Sequence, residues 1–214
     1  MRRLLLLLGL GLGAVIVVAG AAVYLMWDLD WRFRPHTITK RQAEIAQALE
    51  QAGWVSPHLT GPKLYVVLNT GCQACGPLAA TVPKLQAADV DTRMVLIAPA
   101  DRNGQALSTA QDRALVAELW TNRSWKLFQQ WSLANPSSAW TAPGVPPADG
   151  DAARTAVVGA GGALVAALTP ELKDNGLAFA YPTVVWWTKD GKMRACVCAD
   201  PRSYRFVEKD LEQK

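Results

Sequence analysis

Four cysteines stand in two close pairs, Cys72-Gln73-Ala74-Cys75 and Cys196-Val197-Cys198. The first pair follows the apolar run Leu64-Tyr65-Val66-Val67-Leu68 and precedes a stretch of helical character. Two thiols at a helix start can close into a small disulfide ring. The N–H groups and the positive dipole end there favour a thiolate, and this makes the pair a redox couple. The same spacing is also half of a zinc site, so the motif alone leaves both chemistries open.

Cys196 and Cys198 are alternate residues of a strand-like run, so their side chains point the same way. Three readings stand for them. They form a second redox pair exchanging with Cys72 and Cys75, or a reduced or structural pair under the closing helix. The third reading joins C-x-x-C and C-x-C in a four-thiolate zinc site. A copper module built on paired cysteines and a late histidine is a further alternative. The histidines here are His36 and His58, both ahead of the motif.

The elements that must hold these residues follow from periodicity. Thr39-Lys40-Arg41-Gln42 has the form of a capping box, Ile45, Ala46, Leu49 and Ala52 recur at helical spacing, and Gly53 suits a C-terminal cap. Lys63 to Asn69 predicts a buried strand. A helix follows from Gln73 to Ala87, with Pro77 and Pro83 as kinks. Thr92 to Ala98 predicts a second strand, completing a βαβ unit with parallel pairing. The C-x-x-C then lies at the carboxyl end of its strand, where open α/β sheets place their chemistry.

Ser108 to Gln130 is helical in pattern, and its tryptophans read as core packing. Asn135 to Gly150 has the composition of a loop. Asp151 to Leu168 predicts a helix, too short and too rich in glycine for a membrane span. Thr183 to Thr188 predicts a strand, Lys189-Asp190-Gly191-Lys192 a hairpin turn of the Asp-Gly kind, and Met193 to Cys198 the return strand. A closing helix runs from Pro201 to Leu211.

The N-terminus bears on compartment. Arg2-Arg3 precede an uncharged run from Leu4 to Met26, about 23 residues, enough for a hydrocarbon core of about 30 Å. The charges after it cancel, so the positive-inside rule keeps the N-terminus in the cytoplasm and exports the rest. Ala19-Gly20-Ala21 also fits a signal-peptide cleavage site. On either reading the remainder works where disulfides persist. The net charge of +4 comes from scattered lysines and arginines with no basic stripe, which gives no case for nucleic acid.

In order, the elements are helix, strand, C-x-x-C helix, strand, helical insertion, Tyr181-Pro182, hairpin, helix. This resembles the thioredoxin fold, whose cis-proline before the hairpin matches Pro182 in Ala180-Tyr181-Pro182-Thr183. The insertion, the Met94 to Ala100 segment and the helix ahead of the first strand make residues 37–214 similar to the catalytic domain of the periplasmic DsbC/DsbG thiol–disulfide isomerases, and more loosely to DsbA.

The resemblance implies an α/β, thioredoxin-like fold with a helical insertion at about 108–175. It implies catalytic roles for Cys72 as attacking thiolate and Cys75 as resolving thiol. Tyr181, Pro182 and Thr183 would form the substrate platform. No cofactor and no metal are implied. The expected partners are proteins bearing disulfides or thiols, a membrane redox partner of DsbD or DsbB type, and the lipid bilayer through residues 4–26. The expected organisation is an anchor (1–27), a juxtamembrane linker helix (28–61) and the thioredoxin-like domain (62–214). The expected location is the bacterial inner membrane, single-pass, with the C-terminal domain in the periplasm. A non-catalytic assembly protein is the remaining alternative. Gln73-Ala74 differ from that family's intervening residues, so the resemblance implies exchange without a direction.

Overall fold

The computed structural model describes residues 2–103, 105–134 and 144–211, with side chains from Val15 onward. It divides into two compact units, Met1–Arg34 and Pro35–Lys214. The first unit is helix α1 (Arg2–Leu29) and a single 3₁₀ turn, Trp31–Phe33. From Val15 to Trp27 the α1 side chains are apolar or small, and Val15 to Val18 and Val23 to Trp27 are exposed. Asp28 and Asp30 follow, ion-paired four residues on with Arg32 and Arg34.

The second unit is a mixed α/β domain built on a five-stranded sheet. In chain order it contains β1 (His36–Thr37), α2 (Gln42–Gln51), β2 (Lys63–Asn69), α3 (Gly76–Ala87), β3 (Asp91–Ile97), α4 (Ala110–Asn122), α5 (Trp125–Leu133), α6 (Ala152–Lys173), β4 (Thr183–Trp187), β5 (Met193–Val197) and α7 (Pro201–Leu211). The strand order is β1-β5-β4-β2-β3. β2 and β3 run parallel, and the other neighbours are antiparallel.

Both faces of the sheet are covered, which is why its central strands are unbroken apolar runs. Side chains alternate between the faces. Val66, Leu68, Met94, Leu96, Val184, Trp186 and Cys196 form one core with Leu78 and Leu85 of α3 and Tyr204, Val207 and Leu211 of α7. Tyr65, Val67, Val95, Ile97, Val185 and Ala195 form the other with Ile45 and Leu49 of α2 and Leu164, Leu168 and Leu172 of α6.

Several expectations are corrected. The helix expected to link membrane and domain belongs to the second unit, and Ile45 and Leu49 are fully buried. It starts at Gln42 rather than at a Thr39 cap. Arg41 occupies the cap position in the left-handed region, at φ 56°, with no side-chain cap bond. The Thr39 and Lys40 amides instead donate to Asn175 Oδ1, each at 2.9 Å. Ala52, not Gly53, is the C-cap. Gly53 is glycine because of a close approach, since a Cβ there would stand 2.1 Å from Trp120 Cγ.

The 108–130 stretch is two helices. Thr109 and Asp112 form a capping box for α4, Arg123 leaves helical geometry at φ 50°, and Ser124 caps α5 by accepting from the Leu127 amide. α6 has 22 residues, long and apolar enough by length and composition to cross a membrane, which corrects the expectation that this segment is too short. Its Leu164, Leu168 and Leu172 nevertheless pack into the domain core. The predicted loop at 135–150 falls partly on residues 135–143, outside the described residues.

The hairpin turn has three residues between Thr188 and Lys192, whose backbones are bonded at 2.9 Å. Gly191 takes its left-handed position at φ 77°, while Asp190 does not. This is the three-residue loop of the hairpin family rather than a two-residue Asp-Gly turn.

Candidate redox site

β2 delivers the first cysteine pair. The Thr70 amide still donates to Ile97 O of β3 at 3.1 Å, and the Cys72 amide then turns back to Asn69 O at 3.2 Å. Gln73–Cys75 is one 3₁₀ turn, with the Cys75 amide donating to Cys72 O. The regular helix therefore begins at Gly76, not Gln73. Pro77 lies in its first turn, where a missing N–H leaves no bond unmade, so it starts the helix rather than kinking it.

Cys72 and Cys75 are joined as a disulfide, with Cα atoms 5.4 Å apart. Both are partly exposed. Cys75 packs against the core on the α3/α7 face, whereas Cys72 lies between exposed Gly71 and Gln73. No charged residue occurs from Thr70 to Leu78. Cys75 occupies the N-cap position of α3, and Cys72 the cap position of the preceding 3₁₀ turn.

The sheet register brings two further segments to the same edge. Val67 pairs with Thr183, and Thr183 pairs with Val197. One step beyond this row stand Leu68, Pro182 and Cys198, and the Cys198 amide donates to Pro182 O at 3.1 Å. The C-x-x-C turn, the Tyr181-Pro182 segment and Cys198 therefore leave the sheet together. The Tyr181-Pro182 bond is cis.

Tyr181, Pro182 and Thr183, expected to form a substrate platform, have distinct surroundings. The Tyr181 ring is half-buried edge-on to Phe179 at 5.2 Å, and burial pushes its phenol pKa up. Pro182 is buried. Thr183 is fully buried, and its hydroxyl donates to Ala180 O at 2.6 Å. The Thr183 side chain thus anchors the loop from inside, a role that needs the tertiary contact to be seen.

Cys196 and Cys198 are also joined as a disulfide, 5% and 0% exposed. Cys196 lies within β5, and Cys198 one residue past its end. Phe128 of α5 completes the same core, with Trp125 stacked on it at 5.2 Å and Trp131 tilted against it at 5.6 Å. His36 and His58 are exposed. Among the described residues, no group of three or more His, Cys, Asp or Glu side chains is arranged to hold a metal.

No protein-family model and no curated protein sequence matches the chain. Among solved structures, it is similar to the crystal structure of BcfH from Salmonella enterica Typhimurium. The TM-score is 0.50 at 13% identity, covering 94% of this chain and 90% of that one. At this identity the likeness is one of fold.

Proposed function

We propose that this chain is a thiol–disulfide oxidoreductase of thioredoxin-like fold that acts on proteins through Cys72 and Cys75. The observation that carries the reading is the partly exposed Cys72–Cys75 disulfide, set between the end of a central parallel strand and the start of a 12-residue helix. The Tyr181-Pro182 segment at the same sheet edge and the fold likeness to BcfH add support.

Cys72 is the attacking sulfur. In the reduced chain its thiolate attacks a substrate disulfide, forming a mixed disulfide and releasing one substrate thiolate. The Cys75 thiolate then attacks Cys72 Sγ, closes the Cys72–Cys75 bond and releases the second substrate thiol. Two electrons pass to the substrate. The reverse sequence oxidises a substrate dithiol, and the difference in reduction potential sets the direction. The backbone of Tyr181 offers an edge where an extended substrate segment can pair beside the sulfur.

Residues 4–26 serve in this reading as a membrane anchor, with the domain in the periplasm of a bacterium and a membrane protein of DsbD or DsbB type as redox partner. The uncharged run behind Arg2-Arg3 and its charge pattern support this topology.

The test is exchange with a peptide disulfide. Cys72→Ser is expected to abolish it, and Cys75→Ser to accumulate a Cys72–peptide mixed disulfide visible by mass spectrometry. Undiminished exchange in Cys72→Ser would sink the assignment. Zinc at one equivalent per chain with four protected thiols would transfer the site to the metal reading.

A further inference from the structure

We infer that Cys196–Cys198 is a second, solvent-sealed redox couple that exchanges electrons with Cys72–Cys75 through Cys75, an inference that rests on Cys72–Cys75 being redox-active as proposed above.

The first support is register and face. Val66, Val184 and Cys196 form one row across β2, β4 and β5. Leu68, Pro182 and Cys198 form the next row on the same face, tied by the Cys198-to-Pro182 bond. Both C-x-C sulfurs therefore face the α3/α7 side of the sheet, away from α2 and α6. α3 covers that side, and Cys75 at its start packs against the very cluster that contains Cys196 and Cys198. A shift of the C-x-C pair by one residue along β5 would have turned its sulfurs to the α2/α6 face, away from Cys75.

A second support is what the bridge does not do for the fold. Constraint of the unfolded chain grows with loop length, and this loop holds one intervening residue. The bridge lies within and just past a single strand and joins no two elements. The β4 ladder already holds Cys196 opposite Val184. A structural staple has little to contribute here, whereas a redox couple needs only proximity.

Burial supplies the specificity. Cys198 has no exposed surface and Cys196 has 5%, so a folded protein cannot reach either sulfur. Cys75, at the edge of the same core, is the route in. In the transfer the Cys75 thiolate attacks Cys198 Sγ, forming Cys75–Cys198 and displacing the Cys196 thiolate, which takes up a proton. The Cys72 thiolate then attacks Cys75 Sγ, restoring Cys72–Cys75 and displacing the Cys198 thiolate, which is protonated in turn. Two electrons move from the outer dithiol to the inner disulfide. The outer pair receives them from a protein dithiol. The chain thus holds four electrons, and one charged chain can reduce two substrate disulfides.

The test uses the full-length chain in detergent with reduced thioredoxin, a folded protein dithiol too large to touch Cys198. Thiols are alkylated over time and assigned by mass spectrometry. The expected result is reduction of both pairs in the wild type, and reduction of Cys196–Cys198 at least tenfold slower in Cys75→Ser. Reduction of Cys72–Cys75 alone, or an unchanged rate for Cys196–Cys198 in Cys75→Ser, overturns this inference and leaves the proposed function standing. Reduction of neither pair overturns both. A second variant, Cys72→Ala with Cys196→Ala, leaves Cys75 and Cys198 as the remaining thiols. Diamide is expected to join them within one chain, and only inter-chain products would again overturn the inference.

Discussion

The Cys198 amide donates to the Pro182 carbonyl oxygen at 3.1 Å, and so couples the end of β5 to the segment beside the C-x-x-C. On the other side of Pro182, the Thr183 hydroxyl holds Ala180 O. The loop is thereby pinned by a backbone amide and by a buried hydroxyl.

Thr183→Val tests that pinning. Valine has nearly the same shape, so the core stays filled, but Ala180 O loses its donor. A lost bond of this kind costs about 1–2 kcal/mol. Urea unfolding should show that loss. If Thr183 positions the platform, exchange with a peptide disulfide should slow several-fold while alkylation of reduced Cys72 by a small reagent keeps its rate. Equal slowing of both reactions would mean that the C-x-x-C turn itself had moved.

Gly53→Ala is expected to destabilise the domain by about 1–3 kcal/mol through overpacking. The added Cβ would lie 2.1 Å from Trp120 Cγ. The indole cannot easily withdraw, because its Nε1 donates to Leu96 O at 2.8 Å. Gly162→Ala is the matching control. It lies on the exposed side of α6 with nothing within 4 Å of its built Cβ. Alanine there should stabilise by about 0.5–1 kcal/mol from helix propensity alone. Thermal melts of the two variants should move in opposite directions.

The same residues show what sequence can and cannot convey. β2 and β4 were legible because burial on both faces writes an apolar run into the chain. β1 was not. Its two residues are both exposed and carry no periodicity, and the strand exists because His36 and Thr37 find Ala195 and Arg194 far along the chain. The break between α4 and α5 was hidden because both helices present apolar residues to one core, so the pattern runs on through Arg123. At the site, C-x-x-C after a strand was visible locally, as was the shared direction of Cys196 and Cys198. Which face they share depends on the pairing of β2, β4 and β5, and no local signal encodes that.

Asn175 is another contact that only the folded chain reveals. Its Oδ1 accepts from the Thr39 and Lys40 amides, and its Nδ2 donates to Lys40 O and Glu171 O. One amide side chain thus ties the β1–α2 connection to the end of α6. Asn175→Ala should cost about 1–2 kcal/mol, since water can replace part of the exposed bonding. Hydrogen exchange should rise at the Thr39 and Lys40 amides, and stay unchanged in β2 under conditions that favour the native state.

Arg93 contributes to the acid limb of stability through Glu50. It is 8% exposed and donates to Asp91 at 2.9 Å and Glu50 at 2.8 Å, and also to the Tyr65 hydroxyl. Its guanidinium lies 4.0 Å from the centre of the Trp54 ring. Burial alone would lower the Arg93 pKa, but the Asp91 bond, with Tyr65 and Glu50, raises it above the ordinary value. For Glu50, burial pulls upward, and hydrogen bonds from Lys63 and Tyr65 with the Arg93 and Lys63 charges hold it below the ordinary value. A carboxylate with a depressed folded pKa contributes stability that is present above its unfolded pKa, about 4.3. That contribution is lost as pH falls through the folded value. The melting temperature should therefore fall as pH drops from about 5, and Glu50→Gln should flatten that fall while lowering stability at pH 7. Because Glu50 is half-exposed, its share is modest. Arg93→Met is the severe case, since it leaves Asp91 buried without its cation, at a cost of about 3–5 kcal/mol. A melting curve for Arg93→Met that matched the wild type at pH 7 would show that the pair contributes nothing.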